Sequence, residues 1–352
     1  MTDGLHGTKT LKETVMKKIL ALIVLSIAMV SCYEEYLLDY PTTSIYFPIQ
    51  QDVRTFVVGE GMKFEVGAAL GGVRQNTIDR NVTFTLDPAL ITVARLTAMK
   101  SSAMAYIKNA TTLVAALQLL PTSYYTMTPS STTMVIKSGW HGGTVVIKAD
   151  STAFLNDSVN TKISTYVLPF YITSAEADSI LEPKRFNIVG TKFENLLFGN
   201  YWHGGAALVH RPLNPNVFQR ADTTIIYRTL IPTLQENLIW ALTTAGPSTL
   251  TCNGYGTNTV IAGKKILNLT LKGTKVYLTS GVDAPYVITQ EGECSFNNPK
   301  LLQDRRIFLK YTFTQTVSPF FTYHCIDTMT FRNRIRDGIN EWQDENPSHY
   351  TK

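Results

Sequence analysis

Two carboxylates near the C-terminus have the spacing of a possible acid–base pair. Asp337 and Glu341 are four residues apart in a segment that could form a C-terminal helix. Residues four apart lie on one face of a helix. Glycoside hydrolysis instead needs two carboxyls that face each other across a sugar, about 5 to 10 Å apart. On one solvated helix face, the pair serves solubility more often than catalysis.

Other catalytic signatures are missing from the sequence. It contains no G-x-S-x-G nucleophile motif, no H-E-x-x-H metalloprotease motif, no phosphate-binding glycine loop and no C-x-x-C pair. His203, His210 and His324 could approach Cys325, but their spacing matches no metal-ligand motif. The sequence therefore predicts a protein that is not an enzyme and that needs no cofactor or metal.

A repeated tetrapeptide, Trp-His-Gly-Gly, supplies candidate binding residues. It occurs at Trp140–Gly143 and at Trp202–Gly205. Gly-Gly allows a tight turn, which would leave the Trp and His at the edge of a loop. An exposed Trp offers a flat face for the C–H face of a pyranose. The alternative, that each Trp covers the core of its own domain, is favoured for both copies.

Four residues are nevertheless the best candidates for ligand contacts. Tyr201, Trp202 and His203 are adjacent in the second copy, and Tyr255 lies between two glycines that leave it little to pack against. We predict these four as a glycan-binding set.

The chain has four cysteines, Cys32, Cys252, Cys294 and Cys325. In an exported protein Cys252 could form a disulfide with Cys294. Three buried free thiols, with Cys32 modified separately, remain the alternative.

The N-terminal region predicts export. Lys17 and Lys18 precede an apolar run from Ile19 to Val30, followed by Ser31 and Cys32. The run is shorter than the roughly 20 residues of a membrane-spanning helix, so it predicts a signal peptide.

The predicted leader and its surroundings divide into three parts. Residues 1–15 are an upstream extension, with Met1 or Met16 as the start, and 16–31 are the signal peptide. Residues 32–40 are a tether. The small residue followed by Cys32 resembles the lipobox of bacterial lipoproteins, in which that cysteine is lipidated. The acidic residues after it resemble the signal that sends Bacteroidota lipoproteins to the outer face of the outer membrane.

Composition favours an all-β, extracytoplasmic protein. Only 17% of the 352 residues are charged, and 11% are aromatic. The formal net charge of +5 is not concentrated in a basic block. Nucleic acid is therefore not an expected partner.

The region from Thr43 to Thr173 contains about seven short segments rich in β-branched and aromatic residues. In one of them, Phe64 and Val66 alternate with Lys63 and Glu65, which is typical of a half-buried strand. This number of strands predicts an immunoglobulin-like β-sandwich. An Ala- and Leu-rich stretch at 102–119 predicts a short helix within it.

A second strand-rich region follows a polar boundary that ends at Pro183. In Arg306–Thr314, apolar residues at Ile307, Leu309, Tyr311 and Phe313 alternate with more polar ones. Seven or eight such segments, close in sequence, predict an antiparallel meander β-barrel or a second sandwich. The segment Gly199–Trp202 resembles the first strand of calycin barrels.

Two family resemblances cover most of the chain. Leu119–Met127, Gly142–Asp150 and Tyr166–Leu181 resemble the domain of unknown function 1735, which would span residues 41–181. Residues 184–345, with Met329–Gln343 as their ending, resemble the domain of unknown function 4361. The resemblance implies a Bacteroidota outer-membrane lipoprotein encoded with glycan-uptake machinery.

The function expected from this resemblance is non-catalytic binding of a glycan at the cell surface, in support of polysaccharide or host-glycan uptake. Its partners would be an oligosaccharide, the membrane through the lipid anchor, and an outer-membrane glycan importer. Two alternatives stay open. One is a structural or adhesive, fimbrillin-like subunit, and the other is a barrel that binds a small apolar ligand.

Overall fold

A computed structural model describes six stretches of the chain. They are residues 40–211, 222–227, 238–256, 259–299, 301–317 and 320–343. The predicted signal peptide, the predicted lipidation site Cys32 and the predicted tether up to residue 39 lie outside these stretches. Among the helices described, none is long and apolar enough to cross a membrane.

The first part of the chain is a β-sandwich with helices on one outer face. In chain order its elements are β1 (Ser44–Tyr46), β2 (Gln51–Val57), β3 (Lys63–Gly71), β4 (Arg80–Leu86), α1 (Val93–Lys100), α2 (Ala105–Thr111), β5 (Gln118–Leu119), β6 (Tyr125–Thr128), β7 (Thr133–Ile136), β8 (Gly142–Ala149), α3 (Ser151–Asn156), α4 (Ser158–Thr161), β9 (Tyr166–Ala175), β10 (Ser179–Ile180) and β11 (Phe186–Glu194).

Two sheets form the sandwich. One has the order β10-β1-β3-β8-β6, and the other has the order β2-β11-β9-β4-β7, with β5 added beside β9. Alternate residues of each strand face the space between the sheets, as period-2 sequences dictate. Val66 and Ile147 of one sheet belong to the same buried cluster as Phe84 and Phe170 of the other. The predicted immunoglobulin-like sandwich is confirmed.

Helices α1 and α2 cover the outer face of the second sheet. Leu96, Met99 and Ile107 pack there against Val53 and Ile188. The Thr92 side chain caps α1 by accepting a hydrogen bond from the Arg95 amide. The short helix predicted within residues 102–119 corresponds to α2.

The sandwich continues past the boundary predicted from the sequence. Strand β11 pairs parallel with β2 and antiparallel with β9. It therefore belongs to the sandwich, although the prediction ended that domain at residue 181 and began the next at 184. A polar segment ending in a proline marked a loop inside the sheet rather than the end of the sheet.

The second part of the chain is a barrel. Its strands are β12 (Gly199–His210), β13 (Thr223–Tyr227), β14 (Ile239–Gly246), β15 (Thr249–Cys252), β16 (Gly254–Tyr255), β17 (Thr259–Val260), β18 (Leu267–Lys272), β19 (Lys275–Ser280), β20 (Ile288–Gln290), β21 (Cys294–Phe296), β22 (Arg306–Thr314), β23 (Thr322–Arg336) and β24 (Ile339–Glu341).

Pairing of β12 with β23 closes the barrel. The strands follow in the order β12-β14-β15-β18-β19-β22-β23, and β20 and β21 share one position between β19 and β22. This makes a closed barrel of eight strand positions. Ile307, Leu309, Tyr311 and Phe313 all point inward and are buried, as their alternation predicts. Of the two predicted architectures, the meander barrel is the one observed.

The C-terminal helix considered for Asp337 and Glu341 is wrong. Strands β23 and β24 form a hairpin there, with Arg336 paired to Ile339. Asp337 and Gly338 both have positive φ, 51° and 81°, which is the conformation of a tight two-residue hairpin turn. The Asp-Gly pair is a strong hairpin signal, and it decides the local structure against the four-residue spacing of the carboxylates.

The barrel has two different ends. At the proximal end, Arg305 and Arg334 contact Glu60 in the turn between β2 and β3 of the sandwich. The distal end, on the other side, carries the connections β15 to β18, β19 to β20 and β22 to β23. Alternation of antiparallel strands places these three connections together although they are far apart in sequence.

Candidate functional site

A chain of buried polar groups lies inside the barrel. The Tyr311 hydroxyl donates to Asp327 Oδ2 at 2.6 Å, and His203 Nε2 lies 3.1 Å from the same oxygen. The Gly256 amide donates to the Tyr311 oxygen at 2.7 Å. These side chains are almost completely buried. We call them the interior network.

Strand alternation and one glycine position this network. His203 and Gly205 face inward from β12, and Gly205 lies opposite Asp327 in the register with β23. A Cβ at Gly205 would come within 2.9 Å of Asp327 Oδ1, so only glycine leaves room for the carboxylate. The Trp240 indole stacks on the His203 ring, with centroids 3.7 Å apart and planes 8° from parallel. The Trp240 ring thus also fixes the position of His203 in the network, through an apolar contact.

Burial controls the protonation of the network. It raises the pKa of Asp327, although hydrogen bonds from His203 and Tyr311 oppose that shift. Burial and the neighbouring Asp327 carboxyl raise the pKa of Tyr311 well above its usual range. Tyr311 therefore keeps its proton and acts as a donor to Asp327. Because these groups are shielded from water, we interpret the network as part of the core.

A cluster of four aromatic rings lies at the distal end. The rings of Tyr286, Phe313 and Tyr323 stack in parallel, with centroid separations of 5.5 and 4.8 Å and interplanar angles of 7°. Tyr255 meets Phe313 edge-on at 5.3 Å and Tyr286 at 6.0 Å. Phe313 is buried between its neighbours, whereas the three tyrosines are half-buried. We call this the distal aromatic cluster.

Each ring of the cluster comes from a different element. Tyr255 belongs to the small hairpin β16–β17, and Tyr286 lies in the connection from β19 to β20. Phe313 and Tyr323 are directly opposite each other in β22 and β23. The Gly256 amide, next to Tyr255, is bonded to the interior network, which fixes this hairpin over the barrel. The interior network thus supports the distal aromatic cluster.

The hydroxyls of Tyr255 and Tyr323 stay neutral. Burial raises the pKa of both Tyr255 and Tyr323. Neutral hydroxyls both donate and accept hydrogen bonds. Gln315 Nε2 lies 3.4 Å from the Tyr323 oxygen, which adds an amide to the same edge. Flat apolar faces bordered by neutral polar groups suit a ligand with a C–H face and hydroxyls.

The structure separates the four predicted ligand-binding residues. Tyr201 is fully buried, and its hydroxyl donates to the Leu197 carbonyl at 3.0 Å. His203 is buried in the interior network. Neither side chain is accessible to a glycan, so their prediction as contacts is wrong, because both face inward on β12. Trp202 is half-buried on the outer wall of the barrel, and Tyr255 alone lies in the distal aromatic cluster.

The two Trp-His-Gly-Gly copies differ from their predicted role. The copy at residues 202–205 lies within a continuous strand rather than at a turn. Trp140, expected to cover the sandwich core, is 70% exposed just after Gly139, whose φ is +84°. The turn in the first copy therefore precedes the tryptophan, and this turn directs the indole into solvent.

The predicted disulfide is absent. Cys252, Cys294 and Cys325 are buried, and none of them forms a disulfide. Cys252 lies on β15 and Cys294 on β21, three strand positions apart around the sheet. Neighbouring strands are about 4.8 Å apart, and bonded cysteines need Cα atoms within about 7 Å, so the two cannot pair. The alternative of three free thiols is the one observed.

Histidine–carboxylate pairs also occur on the outer surface of the barrel. His210 contacts Asp222, and His324 Nδ1 lies 2.8 Å from Glu291. Within the described residues, no group of three or more His, Cys, Asp or Glu side chains could hold a metal ion. Asp337 binds the edge of the sandwich through Thr55, and Glu341 pairs with Arg334. The two carboxylates therefore have separate structural partners.

Sequence reasoning missed three of the four rings in the distal aromatic cluster. The alternation in β22 places Phe313 inward at the end of its strand, which is a usable signal. Tyr286 and Tyr323 had no such signal, because their proximity depends on which loops share one end of a closed barrel.

Comparisons with known proteins agree with this architecture. Residues 40–179 match the model of a family described as "-like, N-terminal domain". The match covers most of the sandwich and none of the barrel. No curated protein matches the chain.

Solved structures extend the likeness to the barrel. A structural-genomics protein of unknown function from Bacteroides ovatus is 18% identical, with a TM-score of 0.58 over 87% of this chain and 98% of its own. A second Bacteroides ovatus protein of unknown function is 13% identical, with a TM-score of 0.39 over 86% and 98%. A multidomain protein including the domain of unknown function 1735, from the same species, is also 13% identical, with a TM-score of 0.38 over 85% and 99%. The first of these shares the fold across both parts of the chain.

Proposed function

We propose that this protein is a surface-exposed outer-membrane lipoprotein that binds a glycan without catalysis, through the distal aromatic cluster. The leader supports export and anchoring, since Lys17 and Lys18 precede a short apolar run that ends at Cys32. The partners proposed are an oligosaccharide and an outer-membrane glycan importer.

The single observation that carries the proposal is the half-exposed tyrosine surface at the distal end. The parallel rings of Tyr286 and Tyr323 enclose Phe313, so each tyrosine keeps a face that Phe313 does not cover. A pyranose packs its C–H face on such a ring, and neutral hydroxyls beside it can take the sugar hydroxyls.

The location of the cluster supports the same function. The anchor would be attached before the sandwich, whereas the cluster lies at the end of the barrel that is opposite to Glu60 of the sandwich. The sandwich would then act as a spacer that presents the distal end to the surroundings of the cell.

The two other functions have less support. A small apolar ligand needs an open barrel interior, but fully buried side chains of Tyr201, Trp240 and Tyr311 occupy that space. An adhesive subunit that assembles by strand addition needs a free edge, and the barrel lacks one because β12 pairs with β23. Strand addition would therefore depend on the end strands of the sandwich sheets, which are short at β6, β7 and β10.

A binding assay tests the proposal. The mature chain without lipid, residues 33–352, is applied to an array of host and plant glycans, and affinity for any hit is measured by calorimetry. Tyr286→Ala should weaken binding about tenfold, which is what the loss of one stacking contact of roughly 1.4 kcal/mol predicts.

Two variants serve as controls. Tyr277, 44% exposed on the outer wall, is the matched control, and Tyr277→Ala should leave binding unchanged. Loss of binding in Trp202→Ala instead would place the site on the barrel wall. A folded wild-type chain that binds no glycan would overturn the proposed function.

A further inference from the structure

A polar cavity opens between the two sheets of the sandwich, at the edge formed by β2. Its volume is about 150 Å³, and its walls include Asp52, Arg54, Glu65, Val66, Asn187 and Val189. The space between the sheets of a sandwich is normally filled by apolar side chains. Polar residues on both β2 and β11 make this corner different from the rest of the core.

Strand alternation directs the polar groups into the cavity. On β11, Ile188 faces the helices, so Asn187 and Val189 face the opposite sheet. Asn187 is 94% buried, being 6% exposed, and its side-chain oxygen accepts no hydrogen bond from the described residues. A buried acceptor of this kind costs free energy unless a donor reaches it. It therefore points to an occupant that carries a donor.

The charges in the cavity favour a neutral occupant. Arg54 Nε pairs with the buried Asp52 at 2.8 Å, so these two charges compensate each other. Asp52 also accepts from the Tyr106 hydroxyl at 2.8 Å and from the Val53 amide at 2.9 Å, which satisfies its Oδ1. Neither an anion nor a cation would therefore meet an uncompensated opposite charge from this pair.

The cavity wall carries both hydrogen-bond acceptors and hydrogen-bond donors. Asn187 can accept, and the terminal nitrogens of Arg54 can donate. The Glu65 side chain lies on the opposite face of β3 from Val66, where it accepts from Thr144 Oγ1 at 3.0 Å, so it is not one of the acceptors. Val66 and Val189 supply an apolar wall. This combination matches a molecule that has hydroxyls around its rim and C–H groups on its face.

We propose that this cavity binds a single sugar ring. A volume of 150 Å³ is below the range of about 300 to 1,000 Å³ typical of pockets for drug-sized ligands, so one ring fits and an oligosaccharide does not. The site is separate from the distal aromatic cluster, and it makes the sandwich a binding domain in addition to a spacer.

Saturation-transfer NMR on the mature chain tests the inference with a panel of free hexoses, N-acetylhexosamines and amino acids. We expect a monosaccharide signal in the wild-type chain that Asn187→Leu abolishes, because leucine keeps the branching of the side chain but removes the acceptor. Arg54→Lys keeps the charge opposite Asp52 but removes the planar donors, and it should weaken the affinity at least threefold. Lys63, exposed on β3, provides the matched control, and Lys63→Ala should have no effect.

Further variants keep the result decisive. If Asn187→Leu does not fold, Arg54→Lys decides, because it keeps the charge opposite Asp52. Tyr286→Ala should retain monosaccharide binding while it loses oligosaccharide binding, which separates this site from the distal aromatic cluster. The inference is overturned if no monosaccharide binds, if Arg54→Lys binds like wild type, if Tyr286→Ala loses the signal, or if amino acids bind in preference to sugars.

Discussion

Arg334 donates two hydrogen bonds to Glu60, at 2.9 Å to Oε1 and 2.7 Å to Oε2, although 274 residues separate them. Arg305 donates to the same carboxylate at 3.1 Å, and Arg334 also binds Glu341 at 2.6 Å. The Glu60, Arg305 and Arg334 side chains are 5% exposed or less. Burial disfavours the charge on Glu60, but the two arginines outweigh it and lower the pKa of this carboxyl. The sandwich and the barrel are therefore joined by a buried ionic cluster.

Removal of the charge on Glu60 should destabilise this junction. Glu60→Gln keeps the shape of the side chain but leaves two buried guanidinium groups without their shared counter-ion. Breaking a buried pair in this way costs about 3 to 5 kcal/mol. Scanning calorimetry should show a clearly lower unfolding temperature.

An exposed ion pair gives the control for Glu60. Glu182 is 70% exposed and pairs with Arg185, so Glu182→Gln should cost less than about 1 kcal/mol. Equal unfolding temperatures for the two variants would contradict the role of the buried cluster.

Gly205 should tolerate no side chain. A Cβ there would lie 2.2 Å from the Ile326 carbonyl oxygen and 2.8 Å from the Asp327 Cα, in a backbone with φ of +153°. Neither neighbour can move without breaking the pairing that closes the barrel, so Gly205→Ala should destabilise by about 1 to 3 kcal/mol or more.

The first Trp-His-Gly-Gly copy supplies the control for Gly205. A Cβ at Gly142 would meet only the Ala68 carbonyl oxygen, at 3.8 Å. Gly142→Ala should therefore leave the urea midpoint nearly unchanged. A Gly205→Ala variant as stable as Gly142→Ala would show that the strands can separate more easily than the structure indicates.

The three thiols should be unreactive in the folded protein. Burial raises the pKa of Cys252 to about 12 and raises that of Cys294 as well. A chain of residues 33–352 should therefore show no reactive thiol with a chromogenic disulfide reagent near pH 8, and three after denaturation. A single reactive thiol in denaturant, rising to three after reduction, would show that two cysteines are paired.

Local patterns predicted the strands and failed where distant segments meet. The alternation in β22 correctly placed Tyr311 inward, since period 2 is a property of neighbouring residues. The same rule, applied to β12, would have placed Tyr201 and His203 inward, but the glycines that follow suggested a turn. Barrel closure begins with the pairing of Asn200 and Asn333. Neither segment alone contains a pattern that predicts this pairing.

The candidate site was harder to predict for the same reason. Only Tyr255 was selected from the sequence, because flanking glycines marked it as exposed. Tyr286 and Tyr323 join it only after the barrel closes and gathers three connections at one end. The cavity beside Asn187 likewise depends on how two sheets meet at an edge.

Protonation of Asp327 should make the stability of the barrel depend on pH. Burial raises the pKa of this carboxyl in the folded state above its usual value of 3.8. Well below pH 3.8 the Asp327 carboxyl is protonated in both the folded and the unfolded chain. As the pH rises, the unfolded chain loses the proton first, so wild-type stability declines until the pH passes the folded pKa.

Asp327→Asn removes this titration and keeps an acceptor for the Tyr311 hydroxyl. The stability of the variant relative to wild type should therefore rise with pH above about 4, as followed by urea midpoints between pH 3.5 and 8. Asp79 gives the opposite sign, because hydrogen bonds from Lys137 and the Ser138 amide lower its pKa. Asp79→Asn should lose stability relative to wild type as the pH rises through the usual carboxyl pKa of 3.8, by a small amount because the group is exposed. A difference curve for Asp327→Asn that is flat, or that falls like that of Asp79→Asn, would mean that the folded barrel does not disfavour the Asp327 carboxylate, so that the interior network does not hold a buried neutral acid.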